Sequence, residues 1–165
     1  MDFFSSKYDR EPVRNDVLFG IVDREGEPYA RTTTSSADNP WDAIVNNRSA
    51  RVVHFIPIDK NIVIKKNGEQ VSLSEGLLHK VDNSFLAFVE IKNRKKSDFK
   101  HAKEQLASTI NEFVSSHDPK VFRKREAYIA DHRHPKFQFS HKAEMNEFRT
   151  KFGFRLLYQN TIEVE

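Results

Sequence analysis

The chain has 165 residues, enough for one domain with a real core and too few for two comfortable ones. Hydrophobic residues make up 38% and no apolar run approaches the roughly 20 residues that cross a bilayer, which excludes a membrane-spanning helix, and the lack of cysteine excludes disulfides and thiolate chemistry. The formal net charge is only +3, yet basic residues cluster in KNRKK, FRKRE and DHRHPK, so an anionic polymer is one reading and a solvated surface is the other.

In chain order, the opening MDFFSSKYDREP has neither the basic flank nor the apolar stretch of a secretory signal, and a cytoplasmic setting is the simplest expectation. NDVLFGIVDREGEPYARTTT reads as two extended segments around the glycine-containing turn Arg24 to Glu27. ADNPWDAIVNNR carries a helix-start signature, with Asn39 as cap and Pro40 at the first helical position, and predicts a short helix ending near Asn47. ARVVHFIPID is a strand by content. NIVIKKNGEQVSL then contains Asn67-Gly68, a hairpin signal because both residues tolerate positive φ. EGLLHK and SFLAFVEIKN predict two further strands joined at Asp82-Asn83, so the middle of the chain is a β-meander.

Phe99, Ala102, Leu106, Ile110 and Phe113 recur with the period of one helix face, with Ser97 as the cap. REAYIAD returns as a strand. SHKAEMNEFRTKFG reads as a helix capped by Ser140 and closed by Gly153, and FRLLYQNTIEV as one final strand. The order predicts an α/β domain with a mixed β-sheet flanked by helices.

If Asp82 and Asn83 are central in their turn, Glu75 faces Glu90 across the two strands. Opposed residues have Cβ atoms about 5 Å apart on one face of a sheet, so two carboxylates sit side by side, and Lys92 joins that face two residues on. Facing like charges destabilise a sheet unless something offsets them, and a divalent cation does so. Oxygen-rich sites of this kind suit magnesium or manganese, which need only a few carboxylates with water and substrate phosphate. The lysine adds positive charge for an attacking water or for charge developing at phosphorus.

An acidic residue at the start of one strand, followed by EIK in the next strand and then a helix, resembles the PD-(D/E)xK nuclease superfamily. The resemblance covers about residues 39–131 of a single domain over residues 1–165, with the N-terminal hairpin and the C-terminal helix and strand as decorations. It implies a restriction-endonuclease-like fold with an α-β-β-β-α-β core. It also implies a magnesium- or manganese-dependent DNA endonuclease in restriction, defence or repair, in which a metal-activated water cuts the phosphodiester. Glu75 and Glu90 then take the metal-holding positions, and Glu75, Glu90 and Lys92 are the catalytic set. The family usually has Asp where this chain has Glu75, and the extra methylene moves the carboxylate by about 1 Å. The alternative is therefore a nuclease-fold module that has lost its chemistry and binds nucleic acid or a protein partner. The family also implies assembly as a homodimer or a larger complex, with no residue here to carry it.

Asp59 is an alternative acid if the register differs, whereas Asp82 lies in the turn, some 20 Å from Glu90. Gln105 resembles a helix glutamine that assists the site in some nucleases, although its place at the border of the buried stripe favours an ordinary helix-border glutamine. Arg94, Lys95 and Lys96 follow the lysine where DNA phosphate contacts belong. His132 and His134 lack a third ligand for zinc, and His54, His79, His101, His117 and His141 are scattered. No serine elbow or glycine-rich phosphate loop is present. The 14 phenylalanines read as core, with Phe137 and Phe139 open to a base-stacking role.

Overall fold

A computed structural model describes residues 1–92, 99–131 and 142–165. The strands are β1 (Leu18–Val22), β2 (Arg31–Thr33), β3 (Ala43–Asn46), β4 (His54–Pro57), β5 (Lys65–Lys66), β6 (Glu69–Gln70), β7 (Gly76–His79) and β8 (Phe85–Ile91). Helix α1 (Phe99–Val114), β9 (Lys124–Ala130), helix α2 (Lys142–Phe152), β10 (Arg155–Tyr158) and β11 (Thr161–Glu163) follow.

Every residue of β8 is buried, as a strand covered on both faces requires. It lies at the centre of a five-stranded sheet ordered β10-β9-β8-β7-β4. The meander pairs antiparallel, β4 with β7 and β7 with β8, while β8, β9 and β10 run parallel. Parallel neighbours need a crossover, and α1 and α2 lie in the β8–β9 and β9–β10 connections.

Alternation along β8 divides the core into two layers. Leu86 and Phe88 face the helices, in a cluster with Leu106, Ile110 and Phe113 of α1 and Phe148 of α2. Phe85, Ala87 and Val89 face the other way, against Phe19, Ile21, Val45 and Ile162 of a second, four-stranded sheet ordered β11-β3-β1-β2. The layers are thus sheet, sheet, helices.

Several expectations meet this architecture directly. The hairpin β1–β2 forms, Asn67 and Gly68 take positive φ between β5 and β6, and all five periodic residues of α1 are buried. Gly153, at φ 74°, closes α2 with its N–H on the Arg149 carbonyl at 2.9 Å. The caps expected at Ser97 and Ser140 lie outside the described residues.

Three expectations need correction. The helix expected from Asn39 to Asn47 is instead a short 3-10 turn over Ser36–Asp38 followed by β3. Ala43 and Val45 are buried while Ile44 and Asn46 are half-buried, the period of a strand between β1 and β11, and this tertiary pairing overrides the local cap signature. The α-β-β-β-α-β order therefore lacks its first helix among the described residues. The final strand is two strands, because the chain leaves the five-stranded sheet at Gln159-Asn160 and enters the other sheet beside β3. Consequently the C-terminal segment, expected as decoration, contributes one strand to each sheet.

Candidate active site

The site is built where the strand ends converge. Gly76 pairs with Val89 and Leu77 with Phe88, the register that the turn implied, and one further step puts Glu75 opposite Glu90. The turn itself is broader than expected. Lys80 donates its N–H to the Phe85 carbonyl, so residues 81–84 form the loop, with Asn83 at φ 61°.

Glu75 is held through its backbone. Its carbonyl accepts from the N–H of Ile58 at 2.7 Å and of Asp59 at 3.4 Å, which continues the β4–β7 ladder by one step. On its other side the N–H of Ser74 donates to the Thr109 hydroxyl of α1 at 2.7 Å, and that hydroxyl donates to the Gln105 carbonyl at 2.8 Å. The residue before Glu75 is therefore pinned to the helix and the residue itself to the sheet.

Glu90 is 3% exposed. Its Oε1 accepts from the N–H of Ile91 at 3.1 Å, while no donor among the described residues reaches the buried Oε2. A buried acceptor without a partner is costly, so this oxygen calls for a proton or a cation. Burial, and then the neighbouring Glu75 carboxylate, push the Glu90 carboxyl well above the usual range. Burial, followed by Asp23 and Asp59, pushes Glu75 up to about 8, with Lys60 opposing.

Lys92 is half-buried at the end of β8 and extends the parallel ladder, its N–H donating to the Ala130 carbonyl at 2.8 Å. Its ammonium donates to the Tyr158 hydroxyl at 3.3 Å and lies 5.5 Å from that ring's centre. The residue that follows β9, Asp131, is 1% exposed and comes one step past the Ile91–Ala130 pair, level with Lys92.

Of the sequence-predicted residues, the structure thus brings Glu75, Glu90 and Asp59 together, with Lys92 at the same sheet end. Asp59, which by sequence needs a different register, belongs to the group with the register unchanged, because β4 pairs along the other edge of β7 and ends beside Glu75. Asp82 sits in the far turn, its carboxylate accepting from the Ser84 N–H at 2.9 Å. Gln105 donates to the Ser72 hydroxyl at 3.0 Å, which places it on the segment leading into Glu75. Arg94, Lys95, Lys96, His132, His134, Phe137, Phe139 and His141 lie outside the described residues.

Comparison with known protein families, with curated proteins and with solved structures finds no match to this chain.

Sequence reasoning missed Asp23, Asp42, Lys60 and Tyr158. Asp23 follows β1 in the other sheet, and burial, with Asp42 and Asp59 nearby, raises its carboxyl. Asp42 anchors the corner, accepting from the Asp23 N–H at 2.8 Å and from Arg24 at 2.7 Å. Nothing in a strand-end aspartate announces which sheet will be packed against it. Tyr158 had a weak signal, a polar-tipped aromatic ending an apolar strand.

Among the described residues, no three carboxylate or imidazole side chains already form a metal-ligand set. The pair nevertheless suits magnesium or manganese, which bind through one or two carboxylates and complete their shell with water and phosphate. The unpartnered buried oxygen of Glu90 is the observation that fits such an ion.

Proposed function

We propose that the chain is a metal-dependent nuclease that hydrolyses DNA phosphodiesters, in line with its resemblance to the PD-(D/E)xK superfamily. The observation that carries the reading is a buried carboxylate, Glu90, with one oxygen unpartnered, opposite Glu75 and two residues from Lys92. Glu75 and Glu90 would hold the ion, with Asp59 as the nearest further carboxylate. Magnesium or manganese supplies there a Lewis acid and a water of lowered pKa.

The chain's own residues do the rest. Burial of Glu90 keeps bulk water from its free oxygen and favours the protonated acid, so a cation that binds the pair displaces that proton and meets no competing solvent. Lys92 offers an N–H donor to the attacking water or to the negative charge that develops on phosphate oxygen. Thr109 fixes the backbone entering Glu75 through the Ser74 N–H, and Gln105 holds the Ser72 hydroxyl of the same segment, which together set where the longer side chain ends. In this reading Arg94, Lys95 and Lys96 contact the phosphates on either side of the cut.

Calorimetric titration with magnesium and manganese, paired with cleavage of plasmid and oligonucleotide DNA, tests the reading. Wild type binds and cleaves, Glu90→Ala loses the ion, and Lys92→Ala binds the ion but cuts at least 100-fold more slowly. Failure of both metals to bind or support cleavage overturns it and leaves the alternative, a nuclease-fold module whose acids stay protonated.

A further inference from the structure

The last strand of the five-stranded sheet reaches into the site through Tyr158. In the parallel ladders Glu90 pairs with Ile129, and Ile129 pairs with Tyr158. Residues paired across a parallel ladder share a face, so Glu90, Ile129 and Tyr158 stand in one row across three strands, with Ile129 and Tyr158 in the core cluster beneath the helices. Adjacent strands lie about 4.8 Å apart, which puts the tyrosine backbone roughly 10 Å from that of Glu90. Lys92 emerges on the same face one step further along β8. Its side chain spans the gap over β9 and ends 3.3 Å from the Tyr158 hydroxyl, which accepts from it.

Among the described residues, the polar partner of the lysine ammonium is this hydroxyl and not Glu75 or Glu90. The tyrosine is well placed to hold its end of the contact. It is 4% exposed, its ring packs edge-on against Phe99 at the start of α1 with centroids 5.8 Å apart, and its backbone lies in the ladder with β9. A lysine has four rotatable bonds, and an ammonium without a fixed partner samples many positions. A rigid hydroxyl therefore selects one of them.

We propose that Tyr158 is a positioning residue that sets where the Lys92 ammonium stands relative to Glu90, making β10 part of the site. The inference rests on the nuclease reading for its consequence, but the contact can be read independently of any cleavage.

The test is Tyr158→Phe, which keeps the buried ring and its packing on Phe99 and removes only the hydroxyl. Lysine acylation with a limiting amount of an activated acetyl ester, read site by site by peptide mass spectrometry, reports how free the Lys92 amine is. At 3.3 Å and half-buried the contact falls in the range of an ordinary net hydrogen bond, and its loss predicts roughly five- to tenfold faster labelling of Lys92. Lys124, whose amine is held by the Glu163 carbonyl at the other end of the sheet, is the folding control and keeps its rate. If the protein cleaves DNA, the same variant lowers kcat by roughly the same factor with KM unchanged, whereas a merely structural loss moves the Lys124 rate and KM as well. Lys92 labelling within about twofold of wild type overturns the proposal, whether or not cleavage changes. Faster Lys92 labelling in a protein that never cleaves upholds the positioning role and overturns the nuclease reading alone.

Discussion

Glu75 and Glu90 are each affordable to the fold only in a particular charge state. Below about pH 4.5 the Glu75 carboxyl is neutral in both folded and unfolded chains, since 4.5 is its ordinary value. Between there and about 8 the unfolded chain releases the proton while the folded chain keeps it. Stability therefore falls as pH rises through that window, and Glu90, raised by burial and by Glu75, adds in the same direction. A cation that needs both carboxylates ionised reverses the trend, because it binds the folded chain and is favoured by high pH. In chelator the melting temperature should drop on the order of 5 °C between pH 5.5 and 8.5, and magnesium should restore most of the drop at the upper end only. Glu75→Gln should make the chelator curve shallower, leaving the part that burial of Glu90 contributes, and abolish the magnesium effect. A wild-type curve already flat in chelator would remove the case for a strained acid pair. The facing of these two glutamates was legible in the sequence because an antiparallel hairpin has one degree of freedom, its turn, and Asp82-Asn83 located it well enough even though the loop is four residues long.

At the scale of elements, α1 does more than cover the sheet. Its apolar face was readable from the spacing of Phe99, Ala102, Leu106, Ile110 and Phe113, but Thr109, fully buried among them, is the residue that grips the strand. It accepts from the Ser74 N–H, so Thr109→Val, nearly the same shape without the hydroxyl, strands a buried donor. We expect a loss of about 1–3 kcal/mol in urea unfolding and a weaker metal isotherm from the loosened Glu75, with Thr109→Ser keeping both near wild type. Equal stability of the valine and serine variants would mean that the helix does not fix the Glu75 segment. Gly76 sets a second constraint next to the acid. A Cβ there would lie 2.4 Å from the Phe55 ring and 2.9 Å from the Ile56 carbonyl, so Gly76→Ala cannot be accommodated without moving β4. The misread element, β3, shows the opposite case. Its Asn39-Pro40 signature is a local preference, while the pairing with β1 and β11 that decides its conformation comes from residues more than twenty positions before and more than a hundred after.

The whole molecule joins two sheets, and the site lies where one ends beside the other. The five-stranded sheet supplies Glu75, Glu90, Asp59 and Lys92, and the four-stranded sheet adds Asp23 at the end of β1. Packing of Phe19 and Ile21 of β1 against Phe55, Leu78 and Val89 fixes that approach, and it has no counterpart in hydrophobic pattern, which tells that a strand is buried but not which sheet buries it. This is why the pair was legible and the acids of the second sheet, Asp23 and Asp42, were not. The coupling can be measured. Burial is the main reason Glu75 is raised, and the Asp23 charge is the next. Removing that charge by Asp23→Asn relieves repulsion on the ionised Glu75, so its folded value falls toward the ordinary one. The pH window in which stability is lost then closes at a lower pH, while its lower edge, set by the unfolded chain, stays put. In chelator, the midpoint of the melting-temperature decline should move down for Asp23→Asn and stay near wild type for Asp82→Asn, whose carboxylate sits in the far turn. An unmoved midpoint for Asp23→Asn would show that the second sheet packs against the site without acting on it electrostatically. A shift would show that a strand outside the five-stranded sheet tunes the acids at that sheet's end.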